Sequence, residues 1–124
     1  MTHNENFLDG CLFFNTNSLS RHLLKLAQAE FNPLKLSPAH ASLLLVLYDR
    51  PGITPKQLSK ALHLTPSTIT RFLNALESKK LLTRETAGKL VFISPSTKGL
   101  EIKSMVARAY SRLYRQYEKL LGQE

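Results

Sequence analysis

The chain has 124 residues, with 17 lysines and arginines against nine acidic residues, for a formal net charge of +8. That length makes one domain with a modest core, small enough to favour a partner subunit. No run of about 18 apolar residues offers a membrane span, the N-terminal MTHNENF lacks the basic-then-apolar order of a signal peptide, and a single cysteine cannot close an intrachain disulfide, which points to the cytoplasm. The charge is also concentrated. Residues 50–98 hold nine basic side chains against Glu77 and Glu85, a local +7, and such a centred positive field is expected of a nucleic-acid binder.

In chain order, Leu8, Leu12, Leu19, Leu23 and Leu26 recur at near-heptad spacing and predict a long first helix over 6–31, stopped by Asn32-Pro33. Three Ser/Thr–Pro pairs follow: Ser37-Pro38, Thr54-Pro55 and Thr65-Pro66. Each reads as a capping oxygen followed by a residue whose missing N–H costs nothing in the first turn, so helices start near 38, 55 and 66. The first of these, 38–49, is apolar on most sides (Leu43, Leu44, Leu45, Val46, Leu47) and is expected to be buried, with Pro51-Gly52 as its connection onward. The runs LLTRET (81–86) and KLVFI (89–93), separated by Ala87-Gly88, predict a tight β-hairpin. A last helix is predicted over 97–121, with Ile102, Val106, Ala109, Leu113 and Leu120 as a heptad-like seam beside Tyr110, Tyr114 and Tyr117.

The helices starting at 55 and 66 are joined by only His63-Leu64-Thr65, which forces the second across the first. This is helix-turn-helix geometry, in which the second helix enters the DNA major groove by its N-terminal end. Ile69, Phe72, Leu73 and Leu76 form its apolar stripe. Ser67, Thr70, Arg71 and Asn74 share the opposite face, with Thr68 at its edge and Thr65 as the cap. A merely solvated face favours Glu and Lys, which have better helix propensity. Short hydroxyls around one arginine suit base edges and phosphates instead. Lys56 and Lys60 face outward on the preceding helix as phosphate contacts. His63 falls at a turn position of positive φ, which histidine tolerates.

On these residues the sequence resembles the MarR family of winged-helix transcriptional regulators. The resemblance is carried by LSPAHASLLLVL at 36–47, GITPKQLSKALHLTPSTITRFLNALESKKLLTR at 52–84 and SPSTKG at 94–99. It implies a mainly α fold, a winged helix-turn-helix of four helices, a two-stranded β-wing and a long C-terminal dimerisation helix. Residues 1–124 would be a single MarR-like domain, with 37–96 as the DNA-binding lobe and 6–31 and 97–121 as dimerisation helices. By the same resemblance the protein is a homodimer that binds a pseudo-palindromic operator in double-stranded DNA, most often as a repressor, without a cofactor. Arg84 matches an arginine that such proteins place near the DNA backbone. The resemblance also implies a small-molecule effector in the crevice between dimerisation helices and DNA-binding lobe, for which Phe13, Phe14, Asn17, Arg21 and His40 are the candidates.

Three departures stand out. Lys80 occupies a position where such proteins commonly carry glycine. The wing is short, with Ala87-Gly88-Lys89 at its tip, so minor-groove contact rests on Lys89 or is absent. One C-terminal helix is predicted where the family generally has two. Cys11, in DGCLFFN, lies where hydroperoxide-sensing members carry a reactive cysteine, but the activating tyrosines do not follow: HLLKLAQ and Ser37-Pro38 stand there instead. Its simpler reading is a small buried hydrophobe at the dimer interface.

The four histidines lack metal-ligand spacing, and no phosphate loop or Ser–His–Asp set suggests an enzyme. The competing reading is a winged-helix module whose basic face docks an acidic protein. The outward hydroxyls at 65–70 favour DNA, since a protein partner calls for an exposed apolar or aromatic patch there.

Overall fold

The computed structural model describes residues 2–122. The helices are α1 (Thr2–Phe31), α2 (Pro38–Asp49), α3 (Pro55–Leu62), α4 (Pro66–Ser78), α5 (Thr97–Glu101) and α6 (Lys103–Leu121), and the strands β1 (Leu82–Ala87) and β2 (Leu90–Pro95) lie between α4 and α5. This is the expected mainly α winged helix-turn-helix, with α1 beginning at Thr2 rather than near residue 6. A 3₁₀ turn, Asn32–Leu34, follows α1 at the Asn32-Pro33 stop.

The three Ser/Thr–Pro pairs all act as helix starts. Ser37 accepts the His40 N–H at 3.1 Å, and Thr65 accepts that of Thr68 at 3.3 Å. Thr54 forms a full capping box, exchanging hydrogen bonds with Gln57. The helix ends are equally specified. His63 takes φ +56° after α3, and Leu64 N–H donates to Ser59 O at 3.1 Å. Lys80 takes φ +63° after α4, and Leu81 N–H donates to Leu76 O at 3.0 Å. Both are Schellman closures, which favour glycine at the left-handed residue.

Lys80 thus adopts the backbone that glycine would find easy. A left-handed non-glycine residue costs roughly 1–2 kcal/mol, while glycine loses roughly 0.4–1 kcal/mol of unfolded-state entropy. Lys80→Gly should therefore stabilise the fold by about 0.5–1 kcal/mol, and Lys80→Ala should not. Urea unfolding of the two variants checks this.

The wing is antiparallel, with Leu82 opposite Pro95 and Ala87 opposite Leu90. Its turn is Gly88-Lys89, one residue later than expected, because Gly88 with φ +64° supplies the positive φ that a two-residue hairpin turn needs first. The Pro51-Gly52 connection does more than connect. Gly52 N–H donates to Ile93 O at 2.8 Å and Ile93 N–H to Ile53 O at 2.9 Å, so Ile53 bridges to β2 and fixes the wing to the start of α3.

One predicted helix is two. The C-terminal segment breaks at Ile102, between α5 and α6. The Tyr48 hydroxyl donates to Gly99 O at 2.7 Å, taking the acceptor that an unbroken helix offers to the N–H four residues on.

The core gathers Leu43, Leu44 and Leu47 of α2 with Leu58, Ile69, Leu73, Leu76 and Ile93. The buried residues of the C-terminal helix, Val106, Ala109 and Leu113, join this same core, as do Ala27 and Phe31 of α1. Most of the expected intersubunit seam is therefore packing within one chain. Tyr117 donates to Leu23 O at 3.1 Å, and Arg112 and Gln116 both bond Glu30, fastening α6 to α1. What α1 and α6 leave exposed is different: Leu12, Phe13 and Phe14 on α1, and Tyr110, Tyr114 and Leu121 on α6. Leu8 lies outside the residues whose side chains are described. No described helix is long and apolar enough to cross a membrane.

Candidate nucleic-acid interface

The N-terminal turn of α4 is held open to solvent by its own hydroxyls. Thr65 Oγ1 donates to Thr68 Oγ1 at 2.9 Å and lies 3.3 Å from Ser67 Oγ. Thr68 Oγ1 in turn accepts from Arg71 Nη2 at 3.3 Å, and the Arg71 guanidinium stands 6.0 Å from the centroid of the Phe72 ring. Thr70 Oγ1 donates back to Pro66 O at 3.0 Å, which leaves its lone pairs outward. Thr65, Ser67, Thr70 and Arg71 are exposed and Thr68 is half-buried. Pro66 has no N–H and Thr65 caps that of Thr68, so the polar groups at this helix end are chiefly the exposed hydroxyls and the Arg71 guanidinium.

Lys56 and Lys60 are exposed on α3, and Lys89 is exposed at the wing tip beside Leu90. Asn74 and Arg84 meet each other: Arg84 Nη2 donates to Asn74 Oδ1 at 2.7 Å. Arg84 Nε also lies 3.1 Å from Glu77 Oε1, an ion pair by distance in which the N–H is not aimed at the oxygen. Arg84 thereby ties the wing to α4. Glu77 was not singled out by sequence reading, since its partner is contributed by β1.

His40 sits behind this surface. Its ring packs edge-to-face on Phe72 at 4.9 Å, and its Nδ1 is buried without a partner. Burial first, and then the charge of Lys79, hold its pKa below the ordinary 6.5. The folded chain therefore binds fewer protons at this site than the unfolded chain, so its contribution is complete above pH 6.5 and falls as pH drops below it. Wild type should lose more stability than His40→Gln between about pH 7.5 and about pH 5.5, as measured by urea unfolding at each pH.

The residues suggested for an effector crevice do not form one group. Phe13 and Phe14 are about two-thirds exposed and pack on each other edge-to-face at 5.5 Å, whereas His40 faces Phe72. Asn17 is half-buried and Arg21 exposed. A cleft of about 370 Å³ opens instead between α2 and α6, lined by Ser42, Leu45, Val46, Asp49, Arg50 and Tyr110. Cys11 is partly exposed on α1.

Residues 34–89 match the model of the MarR family. No curated protein matches this sequence. Among solved structures the chain is similar to S. aureus MepR in complex with DNA, with 20% identity and a TM-score of 0.80 over 89% of this chain and 83% of that one. It is similar to overoxidized AbfR bound to DNA, at 19% identity and TM-score 0.77 over 98% and 97% of the two chains. The transcriptional repressor CouR, bound to a 23-mer DNA duplex, is likewise similar at 23% identity and TM-score 0.77, over 93% of this chain and 84% of that one. The MarR family model is thus matched across the helix-turn-helix and into the wing, on a fold that these structures share along most of the chain.

Proposed function

We propose that the protein is a sequence-specific regulator of transcription that binds double-stranded DNA as a homodimer and acts as a repressor in the cytoplasm, without catalysing a reaction. The observation that carries this reading is the solvent-facing end of α4, where Thr65, Ser67, Thr68, Thr70 and Arg71 converge in a region of concentrated positive charge. Arg71 is the candidate for bidentate contact with a guanine, and the threonines and Ser67 for neighbouring base edges and phosphates. Lys56, Lys60 and Lys89 supply backbone neutralisation. Arg84 sets the wing against α4, with Asn74 as its anchor. The DNA-bound states of MepR and AbfR, and the repressor role of CouR, support carrying this to the present chain.

In this reading residues 37–96 are the DNA-binding lobe, and segments 6–31 and 97–121 join two copies. The exposed aromatic and aliphatic side chains of α1 and α6 favour such a partner, since soluble monomers seldom leave large apolar patches uncovered. The test is selection of bound sequences from a random duplex pool at physiological salt. Enrichment of a palindrome with half-sites about one helical turn apart is expected. A pool that stays random after repeated rounds would overturn the reading.

A further inference from the structure

A second concentration of positive charge lies away from the exposed end of α4. A cleft of about 320 Å³ opens where the end of the α1–α2 turn, the C-terminus of α4, the start of β1 and the α5–α6 junction meet. Its floor is apolar, with Leu36 and Leu81 almost wholly buried and Ile102 half-buried. Its rim carries Lys35, Lys79 and Lys98, all exposed. Among the described residues no carboxylate pairs with any of the three. The field of Lys79 is instead felt by His40, whose protonation it opposes.

These lysines come from three separate segments, and their frame is fixed by hydrogen bonds. Lys79 Nζ donates to Lys35 O at 2.7 Å, and Lys35 is held in the left-handed region at φ +60°. Ser96 Oγ donates to Lys80 O at 2.6 Å and Ser96 N–H to Leu81 O at 3.0 Å, which sets α5, and with it Lys98, against the end of α4. Three lysines lining one cleft with no carboxylate paired to them favour an anion there. Ammonium groups act on an anion as point charges, and three of them attract a doubly charged phosphate more strongly than a singly charged carboxylate. The volume lies at the low end of the range for small-molecule pockets.

We propose that this cleft binds a small phosphate monoester, its dianionic head among Lys35, Lys79 and Lys98 and its apolar body on Leu36, Leu81 and Ile102. The proposal does not rest on the DNA-binding reading: Lys79 and Lys98 contribute to the positive charge of 50–98, but none of these side chains is assigned a contact with DNA.

Phenyl phosphate is the probe, titrated into the full chain without DNA and followed by calorimetry and amide chemical shifts. One saturable site per chain is expected, with shifts at Leu36, Leu81 and Lys98. Lys79→Gln and Lys98→Gln should each weaken it about tenfold, the equivalent of about 1.4 kcal/mol, while Arg115→Gln, a cation elsewhere on α6, should leave it unchanged. Inorganic phosphate, lacking the ring, and phenol, lacking the phosphate, should each bind at least about tenfold more weakly. Lys98 is exposed and its side chain makes no hydrogen bond among the described residues, so Lys98→Gln is expected to unfold as wild type does, whereas Lys79→Gln also alters the bond to Lys35 O. No saturable binding, equal binding to Lys98→Gln, or equal binding of inorganic phosphate would each overturn the assignment.

Discussion

Gly99→Ala is expected to destabilise the fold by about 2–4 kcal/mol, combining overpacking strain with weakened hydrogen bonds. The added Cβ would lie 2.2 Å from Leu81 O and 3.2 Å from Leu81 C, both backbone atoms, and 3.5 Å from Pro95 Cβ. Relief requires moving α5 away from β1, and two interactions resist that. Leu81 O already accepts from Ser96 N–H at 3.0 Å, and Gly99 O accepts from the Tyr48 hydroxyl at 2.7 Å. Tyr48 is buried enough that its own pKa is pushed up to about 12, so its hydroxyl stays protonated and a donor throughout the neutral range. Urea unfolding of Gly99→Ala beside the exposed neighbour Thr97→Ala measures the effect. A Gly99→Ala variant as stable as Thr97→Ala would mean that the close approach of α5 to β1 is not essential.

Arg71→Ala is expected to cost about 1–3 kcal/mol of binding to the selected operator and to relax preference at one base position in each half-site. Its present partner, Thr68 Oγ1 at 3.3 Å, is a weak one that DNA can replace, and the exposed guanidinium is free to swing outward. Lys56→Ala should behave differently, weakening all duplexes alike and reducing the salt dependence by about one phosphate contact. Anisotropy titrations on the selected site and on a scrambled duplex, each at several salt concentrations, separate the two patterns. Unchanged specific affinity in Arg71→Ala would remove α4 as the reading element.

Most of this framework was legible in the sequence because it is encoded locally. Ser37-Pro38, Thr54-Pro55 and Thr65-Pro66 begin helices where they were expected, since each cap needs only the residue three positions on. His63 adopts the positive φ that its turn requires. What was not legible depends on residues distant in sequence. The break at Ile102 comes just after the bond between Tyr48 and Gly99, 51 positions apart, and the bridge between Ile53 and Ile93 is invisible until the wing folds back. Val106, Ala109 and Leu113 carry the same apolar spacing whether they meet α1 of their own chain or a second copy, so periodicity could not tell which. At the site, the hydroxyl face of α4 was readable from composition, whereas the pairing of Arg84 with Asn74 and Glu77 needed the register of β1 against that helix.

The most direct measurement compares affinities for the selected palindrome and for a scrambled duplex of equal length at physiological salt. Binding to the palindrome at least about a thousandfold tighter is expected of a specific regulator, with two chains bound per duplex. Equal affinity for the two duplexes would mean that the positive surface attracts polyanions without reading sequence, and would contradict the assignment of α4 as a recognition helix.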